Sequence, residues 1–119
     1  MTNKSIGKYG EEKAQKFLTK KGYKILETNF RYSKMAEIDI IASFKNTLHF
    51  VEVKTRTQET FGTPFDAITH QKLKSIYLAS NYYLSKTDKK YSKIQIDAIG
   101  ILISKDGNCK IDFIENISL

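Results

Sequence analysis

The period of the hydrophobic pattern changes three times along the chain. From Ile6 to Lys21, residues Gly7, Gly10, Ala14, Phe17 and Leu18 fall on one helical stripe, with Lys8, Lys13, Lys16 and Lys20 spread over the remaining surface. The spacing predicts a helix, stopped by Gly22. Period two then takes over. Strands are predicted over Tyr23–Phe30, Glu37–Ala42 and Leu48–Thr55, with 31–35 as a basic turn and 43–47 as a hairpin link. Gly62 and Pro64, between Phe61 and Phe65, mark a fixed turn. Helical spacing returns in Leu73, Ile76, Tyr77, Ser80, Tyr83 and Leu84, and predicts a helix from an N-cap at Thr69 to Ser85. Residues 93–104 alternate and then become continuously apolar, as a buried strand does. Asp106-Gly107 reads as a hairpin turn and Lys110–Ile114 as a closing strand.

The order α-β-β-β-α-β-β excludes a doubly wound parallel fold and predicts a mixed central sheet with helices packed on it. With 119 residues, no repeat and no low-complexity tract, the chain reads as one domain, 1–119. No run approaches the length of a membrane span, and the N-terminus lacks the apolar core of a signal peptide, so a cytoplasmic protein is expected. The single cysteine, Cys109, excludes an internal disulfide and a thiolate metal cluster.

Charge changes this picture through its distribution. The formal net charge is +7, yet residues 1–35 hold nine Lys/Arg against three Glu, and the rest hold eleven against ten acids. The excess therefore lies on the first helix and strand. That suits a polyanionic partner, although a solvated lysine-rich face carries the same signature.

One constellation carries chemistry. In a strand, residues two apart share a face at roughly 6–7 Å, so Glu52 and Lys54 point one way and Val51 and Val53 the other. By the same rule Glu37 and Asp39 oppose Ile38 and Ile40. A hairpin between these strands sets Asp39 beside Glu52, with Lys54 on the same surface. Two carboxylates and a lysine suit a hard divalent cation and a phosphoryl oxygen, while a wet amphipathic hairpin is the ordinary alternative. Leu48 and Phe50 share the parity of Glu52, so that face is not uniformly solvent-like. On the first helix, Glu11 borders the packed stripe and Glu12 lies about 100° further round, which favours Glu11 as a third carboxylate. Asp97, inside an apolar strand, fits a hydrogen-bonded structural acid better than a ligand. His49 and His70 lack ligand spacing and read as structural or surface residues. No phosphate-binding glycine loop and no Ser/His/Asp or Cys/His arrangement is present.

Gly10-Glu11, Gly22-Tyr23, Asn29-Phe30-Arg31, Glu37-Ile38-Asp39-Ile40-Ile41, Phe50-Val51-Glu52-Val53-Lys54-Thr55-Arg56, Phe61-Gly62 and Lys72 together resemble the YraN family. These are small bacterial proteins of uncharacterised function related to the PD-(D/E)xK endonuclease-like superfamily, which includes Holliday-junction resolvases. The resemblance runs in order from residue 7 to about 100, with Ala36 standing where the family usually has Gly. It implies an α/β fold with a restriction-endonuclease-like αβββαβ core. It implies a catalytic set of Asp39, Glu52 and Lys54, with Glu11 as the helix-one acid of the resolvase-like branch.

The expected function is metal-dependent hydrolysis of phosphodiester bonds, with Mg²⁺ or Mn²⁺ held by Asp39 and Glu52. DNA is the expected polymer, branched or damaged DNA included, and Arg31, Lys34, Arg56 and Lys72 are expected to touch its backbone. A resolvase-like role favours a two-fold homodimer. The alternative is a nucleic-acid-binding module that keeps the fold and does not cleave.

Overall fold

A computed structural model describes residues 2–57 and 64–117, apart from the side chains of Pro64 and Ala67. The chain forms α1 (Asn3–Lys20), β1 (Lys24–Ser33), β2 (Ala36–Phe44), β3 (Thr47–Thr57), a 3-10 turn (Pro64–Ala67), α2 (His70–Lys86), β4 (Lys93–Ile103) and β5 (Cys109–Ile114). One five-stranded sheet runs β1-β2-β3-β4-β5, with β3 and β4 parallel and every other pair antiparallel. This is the mixed sheet flanked by helices that the element order implies, and it is consistent with a restriction-endonuclease-like core. The turn expected at Gly62 and Phe61 lies outside the described residues.

Local chemistry sets the element ends. Thr2 caps α1 by accepting the Ser5 N–H at 3.1 Å, and Thr69 caps α2 by accepting the Lys72 N–H at 3.1 Å. At the end of α1, Gly22 takes φ +98°, while Tyr23 N–H donates to Leu18 and Gly22 N–H to Thr19. That is a Schellman closure, and it needs a residue without Cβ strain. Between β2 and β3 the link is tighter than expected. Lys45 and Asn46, both at positive φ, make a two-residue turn of the kind whose twist matches a hairpin.

Two apolar clusters lie on opposite faces of the sheet. Ala14 and Leu18 of α1 pack with Ile40, Val51, Val53, Ile99 and Ile101, while Leu73, Ile76 and Ala79 of α2 pack with Ile38, Ile41, Leu48, Phe50 and Ile96. The apolar parity of β3 thus holds: its odd residues face α1 and its even residues face α2. In β2 it does not. Ile38 belongs to the α2 side and Ile40 to the α1 side, so the expected alternation of Ile38 with Ile40 breaks at Asp39. The basic turn is also shorter than 31–35. β1 continues through Arg31 to Ser33, with register irregularities between Ile25 and Glu27 and between Arg31 and Ser33. Such bulges increase local twist and bend an edge strand. Among the described residues, no helix is long and apolar enough to cross a membrane.

Candidate metal and phosphate site

The break at Asp39 is where the sheet forks. Pairing of β2 with β3 runs from Phe44–Thr47 to Ile40–Val51 and stops there. Beyond that point β2 stays with β1, and β3 continues beside β4 as far as Thr57. The Asp39 carboxylate closes the fork by accepting the Val53 N–H at 2.8 Å. A side chain replaces a backbone carbonyl as the acceptor, so it lies between the strands and not on either face.

A cleft of about 700 Å³ opens in the fork. Glu11, Lys34, Glu37, Asp39, Glu52, Lys54, Arg56 and Lys72 all line it. Of the residues expected at the site, Arg31 alone stands outside this lining; it reaches the cleft through Glu37, which it binds at 2.6 Å. Glu12 is exposed and faces a separate groove on α1.

Burial makes the centre of the cleft electrostatically costly. Glu52 is only 3% exposed, because Leu48, Phe50 and α2 cover its face. Its Oε2 has no hydrogen-bond partner among the described residues. Lys72 Nζ lies 3.2 Å from that oxygen, an ion-pair approach without the alignment of a hydrogen bond. Burial also pushes Asp39 up to about 8, and the adjoining Glu52 carboxylate pushes in the same direction; the Val53 N–H and Lys72 oppose them. Burial is the larger cause, so two neighbouring carboxylates, one of them with an amine 3.2 Å away, are costly to ionise together.

On the α1 side, Asn29 Nδ2 donates to Glu11 at 2.9 Å and to Glu37 at 3.3 Å. Asn29 takes φ +50° to do so, a conformation that Asn tolerates better than most residues. Burial raises the Glu11 pKa, Asp39 and Glu37 add to the rise, and the Asn29 amide opposes it. The described cleft therefore gathers four carboxylates, and Lys54 beside them makes no ion pair among the described residues.

This donor set fits a hard divalent cation. Every candidate ligand is a carboxylate oxygen, one buried oxygen lacks a hydrogen bond among the described residues, and burial beside Glu52 holds Asp39 toward its protonated form.

Glu37, Asn29 and the approach of Lys72 to Glu52 are the parts that sequence reasoning missed. Glu37 was within reach of it, because period two already places it on the face of Asp39. The other two are long-range: Asn29 meets Glu11 across 18 residues and Lys72 meets Glu52 across 20.

A second polar group lies away from the cleft. Asp97, fully buried, takes His49 Nδ1 at 2.5 Å, Gln95 Nε2 at 2.8 Å and the Asn116 N–H at 2.8 Å. His49, Asp97 and Glu115 could bring one ligand atom each within 4.8 Å of one another. Both Asp97 oxygens already have donors, so the geometry is that of a structural acid tying the segment after β5 to β3 and β4.

The model of the uncharacterised protein family UPF0102 matches residues 10–101 of the chain. A UPF0102 protein of Syntrophomonas wolfei is 40% identical over 114 residues, covering 96% of this chain and 97% of the relative. One of Clostridium novyi is 41% identical over 115 residues, with 96% and 95% covered, and one of Caldanaerobacter subterraneus is 40% identical over 106, with 89% and 86% covered.

Proposed function

The chain belongs to the uncharacterised protein family UPF0102, the YraN family, and from the chemistry of its cleft we propose that it is a metal-dependent nuclease, hydrolysing phosphodiester bonds of nucleic acid. The observation that carries this reading is the pair Asp39–Glu52, a half-buried and a buried carboxylate set side by side, with a lysine two residues past Glu52 on the same strand.

Asp39 and Glu52 are the residues to hold Mg²⁺ or Mn²⁺, which when bound supplies Lewis acidity toward phosphate oxygen and a more acidic water. Asp39 keeps its orientation through the Val53 N–H on Oδ2, and Oδ1 is the oxygen to take a ligand. Lys54, on the same face as Glu52, orients the attacking water and neutralises charge that grows on the phosphate. Glu11 and Glu37, fixed by Asn29, extend the acidic wall toward α1. Lys34 and Arg56 line the same cleft and supply cations for flanking phosphates, contacts that position the strand without reading its sequence.

The test is cleavage of branched, single-stranded and duplex DNA and RNA in Mg²⁺ or Mn²⁺, with wild type and Asp39→Asn run side by side. Cleavage by the wild type alone establishes the enzyme and its substrate class. Salt-sensitive binding by both proteins without cleavage by either replaces the nuclease with a binding module.

A further inference from the structure

α2 crosses the sheet obliquely. Its first turn brings Lys72 to Glu52, in the cleft, and its last turns bring Tyr82 to the edge strand β1. Ten residues of helix separate the two, or about 15 Å. At the edge, Tyr82 meets Tyr32 with ring centroids 4.9 Å apart and rests on Phe30 at 6.0 Å, while Phe30 is wedged edge-on against Tyr83. Phe30 and Tyr83 belong to the core margin, but Tyr32 is 50% exposed and Tyr82 37%.

Cations frame this pair. Lys86 Nζ lies 5.3 Å from the centre of the Tyr82 ring. Lys34 and Met35, two and three residues past Tyr32, line the cleft, and Met35 is 76% exposed. The surface therefore runs from the acidic centre over Lys34 and Met35 to Tyr32, Tyr82 and Lys86. Aromatic faces interleaved with lysines match a strand whose bases are unpaired: the rings take the bases and the ammonium groups take the phosphates. Base pairs inside a duplex are stacked on both faces and present none to such rings.

A second copy of this chain is the poorer occupant. The edge strand is interrupted by two register irregularities, which spoil it as a template for strand addition. An isologous contact would also set Lys34 and Lys86 of each copy near those of the other.

We propose that Tyr32 and Tyr82 form a stacking platform for unpaired nucleotides lying a short distance along the strand from the phosphate held in the cleft. The preferred ligand is thus a nucleic acid with a single-stranded segment beside the site of attack. This rests on the nuclease reading above and names its substrate class.

Fluorescence anisotropy with labelled oligonucleotides, in EDTA so that nothing is cut, compares a blunt duplex with the same duplex carrying a single-stranded extension, in DNA and RNA forms. The wild type is expected to bind the extended form about tenfold more tightly. Tyr32→Leu/Tyr82→Leu keeps an apolar cover over Phe30 and should lower binding of the extended form to the blunt level, leaving the blunt duplex unchanged. Tyr32→Phe/Tyr82→Phe should retain the preference. A leucine variant that still prefers the extension, or a wild type with no preference in either polymer, overturns the platform. So does a dimer in sedimentation that dissolves only in the leucine variant, since a second copy would then own the surface. Cleavage in Mg²⁺, measured in parallel, keeps the two claims apart: preference without cleavage removes the nuclease and leaves the platform, and cleavage without preference does the reverse.

Discussion

Asp39 Oδ2 accepts the Val53 N–H at 2.8 Å at the place where β2 and β3 separate, so one carboxylate both ends the ladder and enters the cleft. The two duties respond differently to substitution. Asn keeps an acceptor for Val53 and removes the charge; Ala removes both, leaving a backbone donor unpaired at a cost of about 1–3 kcal/mol. Asp39→Asn is therefore expected to melt higher than wild type at pH 8 without metal, and Asp39→Ala to melt below Asp39→Asn. Thermal denaturation of the three proteins decides it. An Asn variant no more stable than wild type would mean that the Asp39 charge is not a burden.

The same carboxylate fixes a pH dependence. Burial and Glu52 raise Asp39 from its ordinary 3.8 to about 8, so the folded protein binds more protons than the unfolded chain between those values. This contribution to stability is complete below about pH 4 and is lost as pH rises toward 8. Metal-free protein should thus lose melting temperature across pH 5 to 8, with the slope flattened in Asp39→Asn. Added Mg²⁺ competes with the proton, so its stabilising effect should grow over the same interval. A Mg²⁺ shift that is constant with pH would detach the metal from Asp39.

Lys72 is the cation nearest the unsatisfied oxygen of Glu52, at 3.2 Å. Removing it leaves the buried Glu52 carboxylate beside Asp39 with no ion-pair partner among the described residues. Lys72→Met should lower stability in EDTA, and Mg²⁺ should restore more of it than it adds to wild type. Calorimetric titration should show tighter Mg²⁺ binding to the variant, because the ammonium no longer competes. Weaker binding would instead make Lys72 a partner of the metal's ligands.

Much of this arrangement is legible in the sequence. Glu52 and Lys54 share a strand face by period two, Leu48 and Phe50 mark that face as not uniformly solvent-like, and the helical phase separates Glu11 from Glu12. What strict alternation could not show is the fork. Period two assumes a continuous ladder, and Asp39 breaks it by turning its side chain into the plane of the sheet; Ile38 and Ile40 part company for the same reason. His49 meets Asp97 across 48 residues through the parallel pairing of β3 with β4, a register that no local pattern specifies.

The placement of Glu11 depends on a close approach between α1 and β3. A Cβ built on Gly10 would stand 1.7 Å from Thr55 Oγ1 and 2.9 Å from Thr55 Cβ, so the helix lies almost against the strand. Thr55 is β-branched and cannot swing clear as the tip of a long side chain would. Gly10→Ala must therefore lift α1 away from β3, at a cost of about 1–3 kcal/mol from overpacking, which exceeds the gain in helix propensity of about 1 kcal/mol. Glu11, the next residue, would move with the helix and away from Asn29. Thr55→Ala removes the nearest atom and leaves the Cβ contact, so Gly10→Ala/Thr55→Ala should recover part of the loss. Denaturant unfolding of the two single variants and the double variant measures that coupling. Strict additivity would show that the approach of Gly10 to Thr55 does not set the position of α1.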